Sequence, residues 1–308
     1  MANIVVDVSY FNGEILMYKL INGNDIPMKE AANFIAQWNQ QDVHHIGYCG
    51  TTAGEIVDYL ATDLTDVPYE NSFLGVVDNG KMIGLLGFDA DLEDAQAELW
   101  GPFVDPGYDA NIAIWLWDEL LRIIPLEIKH VSIFSNIENS LATEFAERLN
   151  FEQKTDQIVL LFERGKLGEL PKHWALELMQ QGYGSFIDLH DNIFPDTYFN
   201  GHEIIDRLTA TQKVFVIKSE ERLAGYVYVE ANPEYGEGSI EFIGVDSMYR
   251  GNSYGKSLLA TAVQWLFTFD SINEIQLCVA ANNKQAIGLY QSVGFRLEHE
   301  LHFFVREM

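Results

Sequence analysis

The segment Val245–Lys256, with the sequence VDSMYRGNSYGK, joins a strand-like run to a helical one. Residues 239–245 alternate as in a strand, and apolar residues recur at helical spacing over residues 258–267. The first N–H groups of a helix have no intrahelical partner and carry the positive end of the dipole, so they bind anions. Two glycines allow close backbone approach, and Arg250 and Lys256 add positive charge. We therefore predict a pyrophosphate site in this turn.

Two common phosphate-binding motifs do not fit the turn. The pattern G-x-x-x-x-G-K-[S/T] would need glycine where Arg250 stands, and the spacing G-x-G-x-x-G is also missing. Residues 250–255 (RGNSYG) resemble instead the [Q/R]-x-x-G-x-[G/A] signature of the GCN5-related N-acetyltransferases, the GNAT family. Residues 283–295 (NKQAIGLYQSVGF) resemble the family's N-x-x-A-x-x-L-Y-x-x-x-G-F segment. Ser253 replaces the first motif glycine, but a serine still offers its backbone N–H.

This resemblance covers residues from about 172 to 308 and implies an acyl-CoA-dependent transferase. The family fold is a mixed sheet splayed between its fourth and fifth strands, with acetyl-CoA as co-substrate in the opening. No metal is implied. Asn283 is also a natural helix cap, which is the alternative reading of that residue. The residues that the resemblance assigns to acetyl-CoA are Val245, Arg250, Gly251, Asn252, Ser253, Tyr254, Gly255, Lys256, Asn283 and Ala286.

Proton transfer needs two further groups. An attacking amine with a pKa of roughly 10 must lose a proton at neutral pH, and a carboxylate can accept it. Glu241 follows the alternation of Ile243 and Val245, which predicts that it faces the opening. Glu230 is the alternative base. Glu241 also has an alternative role, in which it is only solvated or part of a salt bridge. Tyr290 stands where the family often has its general acid, and its alternative role is that of a core residue.

The first half of the chain repeats the order of elements found in the second half. A hairpin at residues 73–88, a strand at 98–104 and a helix at 112–121 precede a strand at 131–134 and a helix at 139–149. Phe151 and Phe295 end the two series 144 residues apart. We predict a mixed α/β fold with two tandem GNAT-like domains, each a splayed mixed sheet flanked by helices. The predicted domains are 1–165, a degenerate copy, and 172–308, the catalytic copy, divided at Glu163–Pro171.

The first copy lacks the chemical groups of the second. In the register set by the two phenylalanines, Pro106–Asn111 stands against Arg250–Gly255, which brings Asp109 to the phosphate position. Ala146 stands against Tyr290. We therefore expect the first copy to act as a scaffold or to border the acceptor site.

Charge and composition restrict the partners. The 308 residues contain 19 Lys and Arg against 46 Asp and Glu, a net charge of −27, with 48% hydrophobic residues. Such a surface repels nucleic acid and anionic membranes and attracts cations. Two cysteines and an N-terminal stretch without a basic segment favour a cytoplasmic protein. We predict acetyl transfer from acetyl-CoA to a primary amine of a small molecule or peptide. A cationic acceptor would suit the acidic surface. The alternative is a non-catalytic acyl-CoA-binding regulatory or scaffold protein.

Overall fold

The chain forms two compact units in the computed structural model, which describes residues 6–11, 14–47, 49–170, 174–195 and 197–308. The first unit holds the residues up to Asp156 together with Glu300–Met308, and the second holds Gln157–His299. Within these described ranges, every helix is too short or too polar to cross a bilayer.

The first unit is built on a sheet in the order β1-β2-β3-β4-β5-β6-β14. Neighbouring strands run antiparallel except β5 and β6, which are parallel. Its strands are β1 (Val6–Phe11), β2 (Glu14–Asn22), β3 (Phe73–Asp78), β4 (Lys81–Asp91), β5 (Gln96–Val104), β6 (His130–Asn136), β7 (Glu152–Gln153) and the end of β14 (Arg296–Glu307). Its helices are α1 (Met28–Asn39), α2 (Ala53–Thr62), α3 (Tyr69–Ser72), α4 (Asn111–Leu120) and α5 (Ser140–Arg148).

The second unit has the corresponding sheet, in the order β8-β13-β12-β11-β10-β9. One apolar core lies between this sheet and the helices α8 and α9, and another lies under α6 and α7. Its strands are β8 (Gln157–Glu163), β9 (Leu176–Glu177), β10 (Gln212–Ser219), β11 (Arg222–Asn232), β12 (Glu237–Val245) and β13 (Glu274–Ala280). Its helices are α6 (Tyr183–Ile193), α7 (Gly201–Asp206), α8 (Tyr254–Leu266) and α9 (Lys284–Gln291).

Both sheets are splayed at their parallel pair of strands. In the second unit, β12 and β13 pair only over Glu237–Ser239 and Glu274–Gln276 and then diverge. In the first unit, β5 and β6 pair only over Gln96–Glu98 and His130–Ser132. The predicted fold class, a splayed mixed sheet with flanking helices present twice, is therefore confirmed.

Equivalent backbone hydrogen bonds align the two units. The N–H of Asp105 donates to Ile83 at 2.8 Å, and the N–H of Asp246 donates to Ala224 at 3.0 Å, in each case at a bulge of the hairpin. Because these bonds match, Asp105 corresponds to Asp246. The expected match of Pro106–Asn111 with Arg250–Gly255 is therefore wrong, since the connection that follows the aspartate differs in length between the units.

The difference in length is measured at the helix that follows. Ile112 fills the space above Gly84, and Leu258 fills the space above the equivalent Gly225. Seven positions separate Asp105 from Ile112, whereas twelve separate Asp246 from Leu258. The first unit has therefore lost five residues from the turn instead of substituting them.

Each sheet takes its strand next to the parallel pair from the other half of the sequence. β8 follows the first series of elements but pairs along its whole length with β13. The end of β14 pairs with β6, from Leu301 opposite Asn136 to Glu307 opposite His130. The division into 1–165 and 172–308 stays a prediction about the sequence repeat, and Pro171 and Lys172 lie outside the described residues.

Candidate active site

The turn between β12 and α8 presents backbone N–H groups. Gly251 and Ser253 both have left-handed conformations, with φ of 83° and 61°. The first hydrogen bond of α8 runs from the N–H of Ser257 to Ser253, and the Ser253 side chain forms no cap. Among the described residues, no acceptor lies against the N–H groups of residues 251–253. Successive free N–H groups next to a left-handed residue make an anion-binding concavity.

The two glycines of this turn serve different purposes. Gly251 needs a positive φ, and the space beside its Cα is open. At Gly255, a Cβ atom would lie 2.9 Å from Cδ2 of Leu289, so this glycine lets α8 pack closely against α9. The sequence argument assigned both glycines to ligand approach, and the structure gives Gly255 a packing role as well.

The polar side chains of the turn are partly engaged with their own backbone. Arg250 Nε donates to the carbonyl of Val245 at 3.2 Å, and Asn252 Nδ2 donates to Tyr249 at 3.0 Å. Lys256 is exposed, and within the described ranges no carboxylate pairs with it. The ring of Tyr254 packs against the core.

Asn283 and Ala286 form the N-terminal cap of α9. The Oδ1 atom of Asn283 accepts a hydrogen bond of 3.1 Å from the N–H of Ala286. This is the capping role that the sequence left open beside a role in cofactor binding. Asn139 and Ala142 make the same bond, at 3.0 Å, at the start of α5. Because both units share the cap, it belongs to the fold.

The splay of the second unit leaves one edge of β13 open. One edge of this strand is held by β8 over its full length, and the other is held by β12 only as far as Gln276. Beyond Gln276, no described residue pairs with the edge that faces β12. An extended ligand with amide groups can therefore continue the sheet in this opening.

Three side chains around the splay influence one another electrostatically. Cys278 stands on β13, in the part that diverges from β12, and its side chain is partly exposed there. Burial and the nearby Glu241 raise the pKa of the Cys278 thiol to about 11. This thiol is therefore protonated at neutral pH and is a poor nucleophile.

Tyr290 is the third member of the group. Its ring packs edge-on to Phe295, and its side chain is 7% exposed. Burial and the neighbouring Cys278 raise the pKa of Tyr290 to about 12, so its hydroxyl keeps its proton at neutral pH. Within the described part of the chain, the hydroxyl makes no hydrogen bond. It remains available to a ligand.

Glu241 occupies a bulge in β12. Tyr228 pairs with Phe242 and Val229 with Ile240, which leaves Glu241 as the extra residue. The bulge breaks the alternation that the sequence argument assumed, because Ile240 and Phe242 lie in different apolar cores. Glu241 still lies near enough to Cys278 for its charge to raise the pKa of that thiol.

A tyrosine that the sequence argument did not select contacts Glu241. The Tyr198 hydroxyl, on the loop between α6 and α7, donates to Oε2 of Glu241 at 2.7 Å. The alternative base, Glu230, is occupied differently, since it accepts from the Tyr228 hydroxyl and pairs with Arg207 at 3.3 Å. Only the position of Tyr198 in a loop after Phe194-Pro195 signals it in the sequence.

In the first unit the chain itself fills the splay. The segment His45–Gly47, between α1 and α2, lies antiparallel to β6. The N–H of Gly47 donates to Phe134 at 2.8 Å, and the N–H of Asn136 donates to His45 at 3.0 Å. Because β14 already holds one edge of β6, this segment lies along the edge that faces β5. We call His45–Gly47 the plug.

The plug is anchored from α1. The side chain of Asn39, 1% exposed, accepts from the N–H of Ile46 at 2.6 Å and donates to Cys49 at 2.7 Å and Gly50 at 3.1 Å. Ile46 itself is fully buried. The plug therefore belongs to the packed interior of the first unit.

A carboxylate of the chain itself, that of Asp109, lies at the start of α4. The carboxylate of Asp109 accepts from the N–H of Asn111 at 2.8 Å, and its carbonyl accepts from Ile112 at 3.0 Å. These bonds satisfy N–H groups that the corresponding turn of the second unit leaves free. The Asp109 carboxylate therefore places a negative charge at this helix start, which disfavours a phosphate there.

Known proteins resemble the chain in both sequence and fold. Residues 183–295 match the sequence model of the acetyltransferase (GNAT) family. Over 87 residues the chain is 32% identical to the spermine/spermidine N(1)-acetyltransferase of Bacillus subtilis (strain 168), a match that covers 26% of this chain and 57% of that protein. Over 83 residues it is 30% identical to the mycothiol acetyltransferase of Kocuria rhizophila, covering 26% of this chain and 27% of that protein. The matched part of the chain thus spans 57% of the first relative and 27% of the second.

Solved structures extend the likeness over nearly the whole chain. A GCN5-related N-acetyltransferase from Sphaerobacter thermophilus superposes with a TM-score of 0.71 at 16% identity, covering 94% of this chain and 95% of its own. A tandem GNAT protein from the clavulanic acid biosynthesis pathway superposes with a TM-score of 0.63 at 14% identity, covering 95% and 98%. Residues 183–295 therefore match the acetyltransferase (GNAT) family model, and the chain as a whole shares its fold with the tandem GNAT protein.

Proposed function

We propose that the second unit is an N-acetyltransferase that moves an acetyl group from acetyl-CoA to a primary amine. The observation that carries this proposal is the open splay between β12 and β13, bordered by the free N–H turn and by the unengaged hydroxyl of Tyr290. The first unit, whose splay is filled by the plug, serves as the scaffold.

The residues of the second unit fit acetyl-CoA. The N–H groups of residues 251–256 would hold the pyrophosphate, with Lys256 beside it, and the open edges of β12 at Val245 and of β13 would hold the pantetheine arm. Asn283 and Ala286, at the start of α9, would border that arm. When bound, acetyl-CoA supplies an activated acetyl group with a thiolate as leaving group.

The proton transfers fall to two side chains on opposite sides of the splay. Glu241 accepts the proton of the ammonium acceptor, directly or through a water, so that the free amine can attack. Tyr290 holds a proton on its hydroxyl at neutral pH, because its pKa is raised to about 12, and gives it to the sulfur as the C–S bond breaks. The proton still carried by the newly acylated nitrogen then returns to the Tyr290 oxygen. The protonated Cys278 needs no covalent role.

The acceptor that we propose is a small cationic amine. The charge of −27 attracts cations, and the partial relatives carry the names of enzymes acting on spermine or spermidine and on mycothiol. A peptide amine remains within the same chemistry. We propose the cytoplasm as the compartment, because both cysteines are free thiols.

A thiol-release assay tests the proposal. The purified chain is incubated with acetyl-CoA and with spermidine, spermine, an aminoglycoside or a lysine peptide, and released CoA is measured. We expect turnover with at least one amine. Calorimetric binding of acetyl-CoA without turnover on any of them would favour the alternative, a non-catalytic acyl-CoA-binding protein. Absence of both binding and turnover would leave the chain a structural protein.

A further inference from the structure

We infer that Tyr198 is a positioning residue that orients the carboxylate of Glu241 toward the acceptor amine. The inference rests on the proposed function, because it assigns Tyr198 a role in the proton transfer proposed for Glu241. It adds a residue of the α6–α7 loop to a site otherwise built from β12, β13, α8 and α9.

The Tyr198 side chain is 61% exposed, and its ring rests against two aromatic neighbours. The ring lies against Phe242 with centroids 4.8 Å apart and planes inclined by 30°, and it meets Phe199 edge-on at 4.8 Å. Phe242 is the residue that follows Glu241 on the bulged strand. The contact with Phe242 and the hydrogen bond to Glu241 therefore fix Tyr198 to the same short stretch of β12 at two points.

The loop that carries Tyr198 is itself anchored by a buried histidine. His190 lies 2.8 Å through Nε2 from the carbonyl of Phe199 and 2.5 Å through Nδ1 from the Tyr226 hydroxyl. Since a carbonyl only accepts, Nε2 donates to Phe199, and Nδ1 faces the Tyr226 hydroxyl. His190 is completely buried. The backbone next to Tyr198 is thus tied to the core.

The far end of the loop is anchored as well. The carboxylate of Asp191 accepts from the N–H of Gly201 at 2.7 Å, and Asn200 forms a capping box with Glu203 at the start of α7. The guanidinium of Arg207 lies over the ring of Phe199 at 4.2 Å. These contacts make the loop a fixed support, which is what orienting another side chain requires.

Glu241 needs such a support because the bulge leaves its long side chain outside the regular sheet. Tyr198 binds Oε2, and the part of the chain that the structure describes supplies no hydrogen bond to Oε1. One oxygen is therefore fixed, and the other is directed to accept a proton.

The variant Y198F removes the hydroxyl and keeps the ring. With spermidine as the acceptor, we expect kcat/KM for spermidine to fall on the order of ten-fold, while KM for acetyl-CoA stays unchanged. The loss should be confined to this part of the kinetic profile. Y183F is the matched control, since it removes a tyrosine hydroxyl of α6 that contacts no described hydrogen-bond partner, and it should behave as wild type.

A double variant separates positioning from a merely structural role. In an E241Q background, measured at alkaline pH where more of the amine is deprotonated, Y198F should have almost no further effect. An equal loss in both backgrounds, or a Y198F profile identical to wild type, overturns the inference while leaving the acetyltransferase in place. A wild-type chain that acetylates neither spermidine nor another amine overturns the proposed function, and the role of Tyr198 with it.

Discussion

The two units differ most at the feature that they share most closely, the splay of their parallel strands. In the second unit the edge of β13 beyond Gln276 is open, and in the first unit the equivalent edge of β6 is paired with the plug, His45–Gly47. Both openings arise from the same three-residue pairing, so the fold alone does not decide whether a ligand can enter. In the first unit the segment between α1 and α2 decides it, because this segment supplies the plug.

The starts of α8 and α4 also differ in whether they leave N–H groups free for a ligand. The turn before α8 leaves N–H groups free, while Asp109 satisfies those at the start of α4. The first unit has thus lost five residues of the turn, gained an internal carboxylate and, at Ala146, lacks the hydroxyl of Tyr290. The equivalence of Ala146 and Tyr290 is direct, because each accepts from the N–H of the phenylalanine five positions later, Phe151 or Phe295.

The largest effect should come from removing the anchor of the plug. N39A leaves two buried backbone groups, of residues 46 and 49, and one partly buried group, of residue 50, without partners, which should lower the unfolding free energy of the first unit by about 3–4 kcal/mol. Urea unfolding followed by tryptophan fluorescence reports this unit, which holds four of the six tryptophans. Q40A is the control, because Gln40 bonds the same loop at Thr51 from an exposed position. Equal stability of the two variants would contradict the anchoring.

The next largest effect tests the proton donor of the open splay. Y290F makes the second unit resemble the first, where alanine stands, and should lower kcat on the order of 100-fold, or about 2.7 kcal/mol. The KM for acetyl-CoA should change little, because the hydroxyl acts late in the reaction. Unchanged kcat would return Tyr290 to a core role.

A third test addresses Glu98, which lies where the pairing of β5 with β6 ends in the first unit. Glu98 pairs with Asp89 across β4 and β5, and burial followed by this neighbour raises the pKa of Glu98 from 4.5 to about 7. A pKa raised by folding contributes stability that is complete below about 4.5 and is lost as the pH rises through 7. Between pH 5 and 8, wild type should therefore lose on the order of 2 kcal/mol relative to E98Q.

The control for this titration is E93Q, which removes the same charge from an exposed turn of the same hairpin. Thermal unfolding at both pH values measures the difference. If wild type and E98Q lose stability in parallel with rising pH, the carboxyl group of Glu98 is not the source of the dependence.

The smallest effect is expected from a substitution that introduces a carboxylate into the turn before α8, as the first unit has one at the start of α4. N252D adds one negative charge beside the free N–H groups and should weaken acetyl-CoA binding on the order of ten-fold, or about 1.4 kcal/mol. N232D, at the exposed end of β11, adds the same charge away from the turn. Isothermal titration gives both affinities and should also give one acetyl-CoA per chain. Two sites per chain would refute the idea that the plug closes the first splay.

Local sequence patterns predicted the hairpins, the strand–turn–helix of residues 245–256 and the repetition of the fold, because each depends on neighbours within about 15 residues. The orientation of Glu241 could not be predicted, since a bulge interrupts the alternation without a glycine or proline to mark it. The plug and the role of Tyr198 could not be predicted either, because each contacts a strand that is far away in the sequence. The prediction that Asp109 stands at the phosphate position used a register that the structure corrects, although Asp109 does lie at the start of α4.

The long separation between β6 and its partner sets the order in which the chain can finish folding during synthesis. Asn136 pairs with Leu301, 165 residues later, whereas the pairing of β8 with β13 spans at most the 123 residues from Gln157 to Ala280. The strands β8 to β13 of the second unit are therefore all synthesised before the last strand of the first unit. Until that strand emerges, one edge of β6 is open to pairing with other nascent chains. The half that is translated first is completed last.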